Sequence, residues 1–200
     1  SMPSNPFGAL RLDSRFAACV AIGLATMASQ SCLKAGESIS KTGEAVAITK
    51  ESGVHHGLCV ILGCDGGDAT LAIELSKQGN FLVQILDSSA EKVEKARNAI
   101  TSNGMYGDLL SVAQSPLSEL PYADNLVNLL ILTNPRLDGV SADEIARVVM
   151  PNGVAWIQNG KASLLKFSPQ EFRVEEKGAN LKITKLWTAG MDNWTHHAHG

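Results

Sequence analysis

The stretch Gly63-Cys64-Asp65-Gly66-Gly67 and the single carboxylate Asp87 are the residues whose types and spacing suggest chemistry. Three glycines in five positions permit positive φ and let the backbone approach a ligand closely. A helix-like pattern begins straight after them, and a helix N-terminus offers unpaired N–H groups and a positive dipole end. Asp87 lies 20 residues beyond Gly67, where a carboxylate can accept both hydroxyls of a ribose. Loop and acid together point to a nucleoside-type ligand. The alternative is a tight turn whose acid only caps the next helix. The other reactive side chains form no recognisable set. Cys59 and Cys64 bracket an apolar run, as small buried side chains would. His55-His56 precedes that run and reads as solvated, and Asn134-Pro135 reads as a turn. His196, His197 and His199 have no acidic or cysteine partner at ligand spacing, so no metal site is expected. No nucleophile–base pair stands out, and no catalytic residue is assigned.

The loop has to be held by what surrounds it. "EAVAITKESGV" reads as a short helix, and "LCVILG" as a strand buried on both faces. "DATLAIELSKQG" carries Leu71, Ala72 and Leu75 at helical spacing and stops at Gly79. "FLVQILD" is a second strand. The helix after it has Ser88 or Ser89 as its cap and Gly104 at its close. "LLSVA", "LVNLLIL" and "VAWIQ" follow as strands. "SADEIARVVMPNG" stands before the last of these as a helix with a Ser141–Glu144 capping box. Alternation of strand and helix over 58–158 predicts right-handed βαβ units. "EFRVEEKGANLKITKLW" alternates about Lys177-Gly178 and predicts an antiparallel hairpin.

In their order, "CVILGCDGG", "FLVQILDSSAEKVEKAR", "LPYADNLVNLLIL" and "EIARVVMPNG" resemble the class I S-adenosylmethionine-dependent methyltransferases over about residues 45–160. The resemblance implies an α/β fold: a Rossmann-like, doubly wound, mostly parallel seven-stranded sheet ending in the hairpin 171–188. It implies S-adenosylmethionine as cofactor and a small-molecule or protein methyl acceptor. By position, Gly63, Asp65 and Gly67 would line the methionine end, with Cys64 and Gly66 in the same loop. Asp87 and Ser88 would hold the ribose, and Ser115 and Leu117 would lie near the adenine. Four departures make the cofactor loop degenerate. Ile61 stands where an acid is common, Asp65 where glycine is usual, and Asn128 where aspartate is usual; "AQSPLSELP" lacks the acid that often contacts the adenine. Together they would remove several polar contacts to the cofactor.

The ends differ from the body. Arg11 and Arg15 precede the uncharged apolar run 16–27 and then small residues, the layout of a secretory signal. This predicts export to the periplasm; the alternative is an Ala-rich buried helix in a cytoplasmic protein. The closing "MDNWTHHAHG" resembles the segment that joins a methyltransferase-like domain to a pyrroloquinoline-quinone-like β-propeller in large secreted bacterial proteins. It implies a propeller domain or partner. The expected layout is a signal or apolar helix over 1–34, a methyltransferase-like domain over 40–188 and a tail over 189–200. A net charge of −3 without basic clusters argues against nucleic-acid binding. Two functions remain in view: a methyltransferase, or a non-catalytic methyltransferase-like binding module. A nicotinamide-dependent oxidoreductase fits less well, because "GCDGGD" does not reproduce G-x-G-x-x-G.

Overall fold

The computed structural model describes residues 41–78, 80–134, 139–163 and 166–187, and of Asp65 only the backbone. The expectations for the apolar run 16–27, for Gly79, for Pro135 and for the histidines of the tail lie outside the described residues. Helix α1 occupies 41–52. There follow β1 (Gly57–Leu62), a 3-10 turn (Asp65–Gly67), α2 (Thr70–Lys77), β2 (Phe81–Asp87), α3 (Ala90–Ser102) and β3 (Leu110–Gln114). β4 (Val127–Leu132), α4 (Ala142–Val148), β5 (Val149–Ile157), β6 (Phe172–Lys177) and β7 (Asn180–Lys185) complete the order. The seven strands form one sheet in the order β3-β2-β1-β4-β5-β7-β6. β1 pairs in parallel with β2 and β4, β2 with β3, and β4 with β5. β7 runs antiparallel to both β5 and β6.

The apolar strands are continuous because both faces are covered. Cys59 and Ile61 of β1 face a core shared with Ala45 and Ile48 of α1, Leu75 of α2 and Ala96 of α3. Val60 and Leu62 face the opposite core, closed by Ile145 and Val148 of α4 and by Leu117 and Leu120 of the β3–β4 connection. The chain order reverses between β1 and β4, so the loop after β1 lies at the switch point, where ligands of such sheets bind.

Local signals decide the element ends. Ser89 caps α3, and Gly104 closes it at φ 68°, with Met105 N–H reaching Ile100 O at 3.3 Å. Ser141 accepts the Glu144 N–H at 3.0 Å, but the Glu144 carboxylate does not return to the cap and accepts the Leu120 N–H instead, at 2.6 Å. The predicted capping box is thus half formed. The helix read through "VMPNG" ends at Val148, and β5 starts at once. Pro151 explains this, since it lacks an N–H and keeps its predecessor out of the helical region.

Candidate functional site

At the end of β1 the backbone leaves the sheet through Gly63, whose φ is 82° and whose N–H still bonds to Leu86 O of β2 at 2.8 Å. The next N–H, of Cys64, donates to Asp87 Oδ2 at 3.0 Å. The Cys64 thiol lies 3.5 Å from the same oxygen. Asp87 Oδ1 accepts the Ser89 N–H at 2.9 Å. Lys92 Nζ stands 3.8 Å from Oδ2. The carboxylate is 4% exposed and binds the loop, the end of β2 and the start of α3 together. Oδ2 takes both the N–H and the thiol of Cys64, whereas Oδ1 accepts one N–H and keeps a second lone pair for a hydroxyl.

The glycines have separate reasons. A Cβ on Gly66 would meet nothing within 4 Å, and its φ of 62° opens that side of the turn. A Cβ on Gly67 would come 2.5 Å from Lys95 Cβ and 3.2 Å from Lys92 O, so this glycine lets α3 close on the loop. Gly67 therefore answers to packing, whereas Gly66 leaves room for a ligand. The Asp65 carboxylate is outside the described atoms.

The remaining expected contacts gather at the same edge. Ser88 is exposed just beyond Asp87, and its carbonyl accepts from Gln114 Nε2 at 3.1 Å. The Ser115 N–H donates to Asp87 O at 3.1 Å. Leu117 is buried in the core under α4, which makes it a wall and not a surface contact. Gly63, Cys64, Gly66, Gly67, Asp87, Ser88 and Ser115 thus meet at the carboxyl ends of β1, β2 and β3.

Asn128 does not belong with them. It sits at the opposite end of the sheet, where its Oδ1 accepts the Leu58 N–H at 2.9 Å. Its side chain occupies the space a Cβ on Gly57 would need. Replacement of aspartate at this position removes nothing from the ligand edge, contrary to the expectation from sequence. His55 and His56 are exposed at that same far end, beside Asn128 and Met150. Among the described residues no three His, Cys, Asp or Glu side chains group as metal ligands.

Several site residues gave little sequence signal. Thr133, just past β4, donates its hydroxyl to Gly63 O at 3.1 Å and lies within 3.2 Å of Leu62 O. Lys41, at the start of α1, lines a small cavity of about 20 Å³ with Ile61, Gly63, Cys64, Asp68, Leu71, Ala72, Ile85 and Thr133. Lys41 falls in a stretch that reads as polar linker. Only the docking of α1 over the sheet, with Glu44 bonded to Gln158 Nε2 at 2.6 Å, brings it to the loop.

No family model and no curated protein sequence matches the chain. Solved structures do. A protein from Methanococcus maripaludis described as an S-adenosyl-L-methionine-dependent methyltransferase aligns with a TM-score of 0.59 at 19% identity, over 72% of this chain and 84% of its own. A methyltransferase of Aquifex aeolicus that depends on the same cofactor gives 0.53 at 19% identity, over 70% and 88%. The chain has the fold of the class I S-adenosylmethionine-dependent methyltransferases. The cyclase SpnF also aligns, with a TM-score of 0.50 at 18% identity over 61% of this chain and 47% of its own. The fold by itself therefore does not fix the reaction.

Proposed function

We propose that this chain is an S-adenosylmethionine-dependent methyltransferase-like protein with a degenerate loop, binding its cofactor at the carboxyl ends of β1 and β2. The observation that carries this is the bond from Cys64 N–H to Asp87 Oδ2, which fixes a glycine turn against a carboxylate at the switch point. Space over Gly66 and the spare lone pair on Asp87 Oδ1 suit a nucleoside. Gly63 to Gly67 would hold the amino-acid end, Asp87 and Ser88 the ribose, and Ser115 the adenine edge, with Leu117 behind it. S-adenosylmethionine, when bound, supplies an electrophilic methyl group on a sulfonium. The chain's part is to orient it and to exclude water.

A second reading is favoured by one observation. Both oxygens of Asp87 already bond to backbone N–H groups, as they would in a purely structural brace. In that case the chain is a non-catalytic module, a role consistent with a propeller partner and with export through the apolar run 16–27. Mass spectrometry of the mature protein after expression would test the export proposal.

Calorimetric titration with S-adenosylhomocysteine separates the two functions. The cofactor reading expects a Kd tighter than about 100 μM, equivalent to about 5.5 kcal/mol. It also expects amide shifts at Gly63, Gly66, Gly67, Ser88 and Ser115 by heteronuclear NMR. No heat and no shifts at millimolar ligand would leave the module reading standing.

A further inference from the structure

Helices α1, α2 and α3 cover one face of the sheet, and α4 with the β3–β4 connection closes the other. No helix stands between β3 and β4, so over β2 the connection alone is the cover. It stops short of one corner. Tyr122 reaches β2 with its hydroxyl, donating to Gln84 Oε1 at 2.7 Å, and Leu82 just before it is 52% exposed. Phe81 and Val83 face the first core, so Leu82 between them points out of the second face. Leu109 lies beside it, since its carbonyl accepts the Val83 N–H at 2.7 Å and the next residue, Leu110, is in the first core. It is 40% exposed. On the other side β1 pairs Leu58 with Leu82, and Leu58 is half-buried against the second core. Three leucines thus form a row across the starts of β1, β2 and β3.

An exposed apolar row with polar surroundings marks a contact surface. Its charge pattern indicates the occupant. Leu82, Gln84, Leu109, Ser111 and Ala113 stand on this face of β2 and β3, and none is charged. A twofold contact sets a surface against its own copy, so near the axis like meets like. A charged row would be repelled there, whereas a neutral apolar one is not. The exposed Val174 of β6 is the contrast: Arg173, Glu175, Glu176 and Lys177 share its strand, and such charges keep an edge from pairing. We propose that the row Leu58, Leu82 and Leu109 is the centre of a twofold interface with a second copy of this chain. Two half-exposed leucines supply only part of the ~800 Å² per partner of a standard interface, so the dimer is weak and forms as concentration rises. The row lies at the opposite end of β2 from Asp87, so the contact leaves the candidate ligand edge open.

Sedimentation equilibrium of the full chain from micromolar to millimolar concentration tests this, beside Leu82→Gln, Leu109→Gln and Val174→Gln. The wild type is expected to move from the monomer mass towards the dimer mass. Each leucine variant should weaken the dimer about tenfold or more, the loss expected of an apolar anchor at an interface centre. Val174→Gln should associate as the wild type does. All three positions are exposed, so unchanged thermal midpoints in dilute solution are expected and separate association from folding. Heteronuclear NMR of the wild type should show concentration-dependent amide shifts at Leu82, Gln84 and Leu109, and none at Gly66 or Ser88. A wild type that stays monomeric overturns the proposal, and so does association that survives both leucine variants. A lowered midpoint for dilute, monomeric Leu82→Gln overturns it too, because the row is then covered by the chain itself. Species larger than the dimer would do the same, since a twofold contact closes on itself.

Discussion

Asp87 is the residue on which the site turns, because one buried carboxylate joins Cys64, Ser89 and Lys92. Asp87→Asn would turn one accepting oxygen into a donor facing a backbone N–H, a loss of about 1–3 kcal/mol. Chemical denaturation should show it, together with faster amide exchange at Cys64 and Ser89; unchanged exchange would mean the bonds do not brace the loop. The two loop glycines should respond unequally. Gly67→Ala drives a methyl group into Lys95 and the Lys92 carbonyl, adding an overpacking loss of about 1–3 kcal/mol to the strain of positive φ. Gly66→Ala meets open space and carries only the strain, about 1–2 kcal/mol. Equal denaturation midpoints for the two variants would contradict this division. That both positions are glycine is plain from the chain. Which one serves α3 and which one leaves space depends on a helix more than 20 residues away.

At the scale of elements, α4 fastens the β3–β4 connection to the sheet. Arg147 donates to Tyr122 O at 2.7 Å, to Leu120 O at 3.1 Å and to Asp124 Oδ1 at 2.9 Å. Glu144 pairs with Arg147 and accepts the Leu120 N–H. Hydrogen bonding to Arg147, aided by the Leu120 N–H and opposed by burial, holds the Glu144 carboxyl below its ordinary range. A carboxyl depressed on folding adds stability above its unfolded value of about 4.3, and that stability is lost as pH falls through the folded value. Glu144→Gln should therefore be less stable than the wild type at neutral pH, the gap narrowing under acid conditions. Urea midpoints across pH would reveal it, and a gap that does not change with pH would refute it. Beneath this clamp the sheet depends on its own packing. Leu129→Ala, at a fully buried position of β4, should remove about 2–5 kcal/mol.

The described residues form a sheet with a covered face on either side and the candidate ligand edge at the switch point. A ligand bound there by the folded chain alone stabilises all of it. S-adenosylhomocysteine at 100 times its Kd would add about 2.7 kcal/mol. For a body of this size that raises Tm by roughly 5–10 °C. A thermal melt with no shift at millimolar ligand would agree with the module reading and not with the cofactor reading. The exposed His55 and His56 lie at the other edge, so alanine at both should leave this shift unchanged.

The sequence by itself determined the strands, the order of strand and helix, the loop with its acid, the caps at Gly104 and Ser141, and a serine cap on α3 that the structure assigns to Ser89 over Ser88. Each is written in residues that are neighbours in the chain, through side-chain period and through backbone preferences that act over a few positions. The antiparallel hairpin was legible for the same reason, with alternation on both sides of Gly178. Only the tertiary structure decided what the polar side chains do. It moved Asn128 from the ligand edge to the far end, turned Glu144 from a cap into a clamp, and buried Leu117. It also brought Lys41 to the cavity beside the loop. Charge and hydrogen-bonding capacity are local properties, but their partners are set by how helices and strands pack, and no short stretch of sequence records that distance.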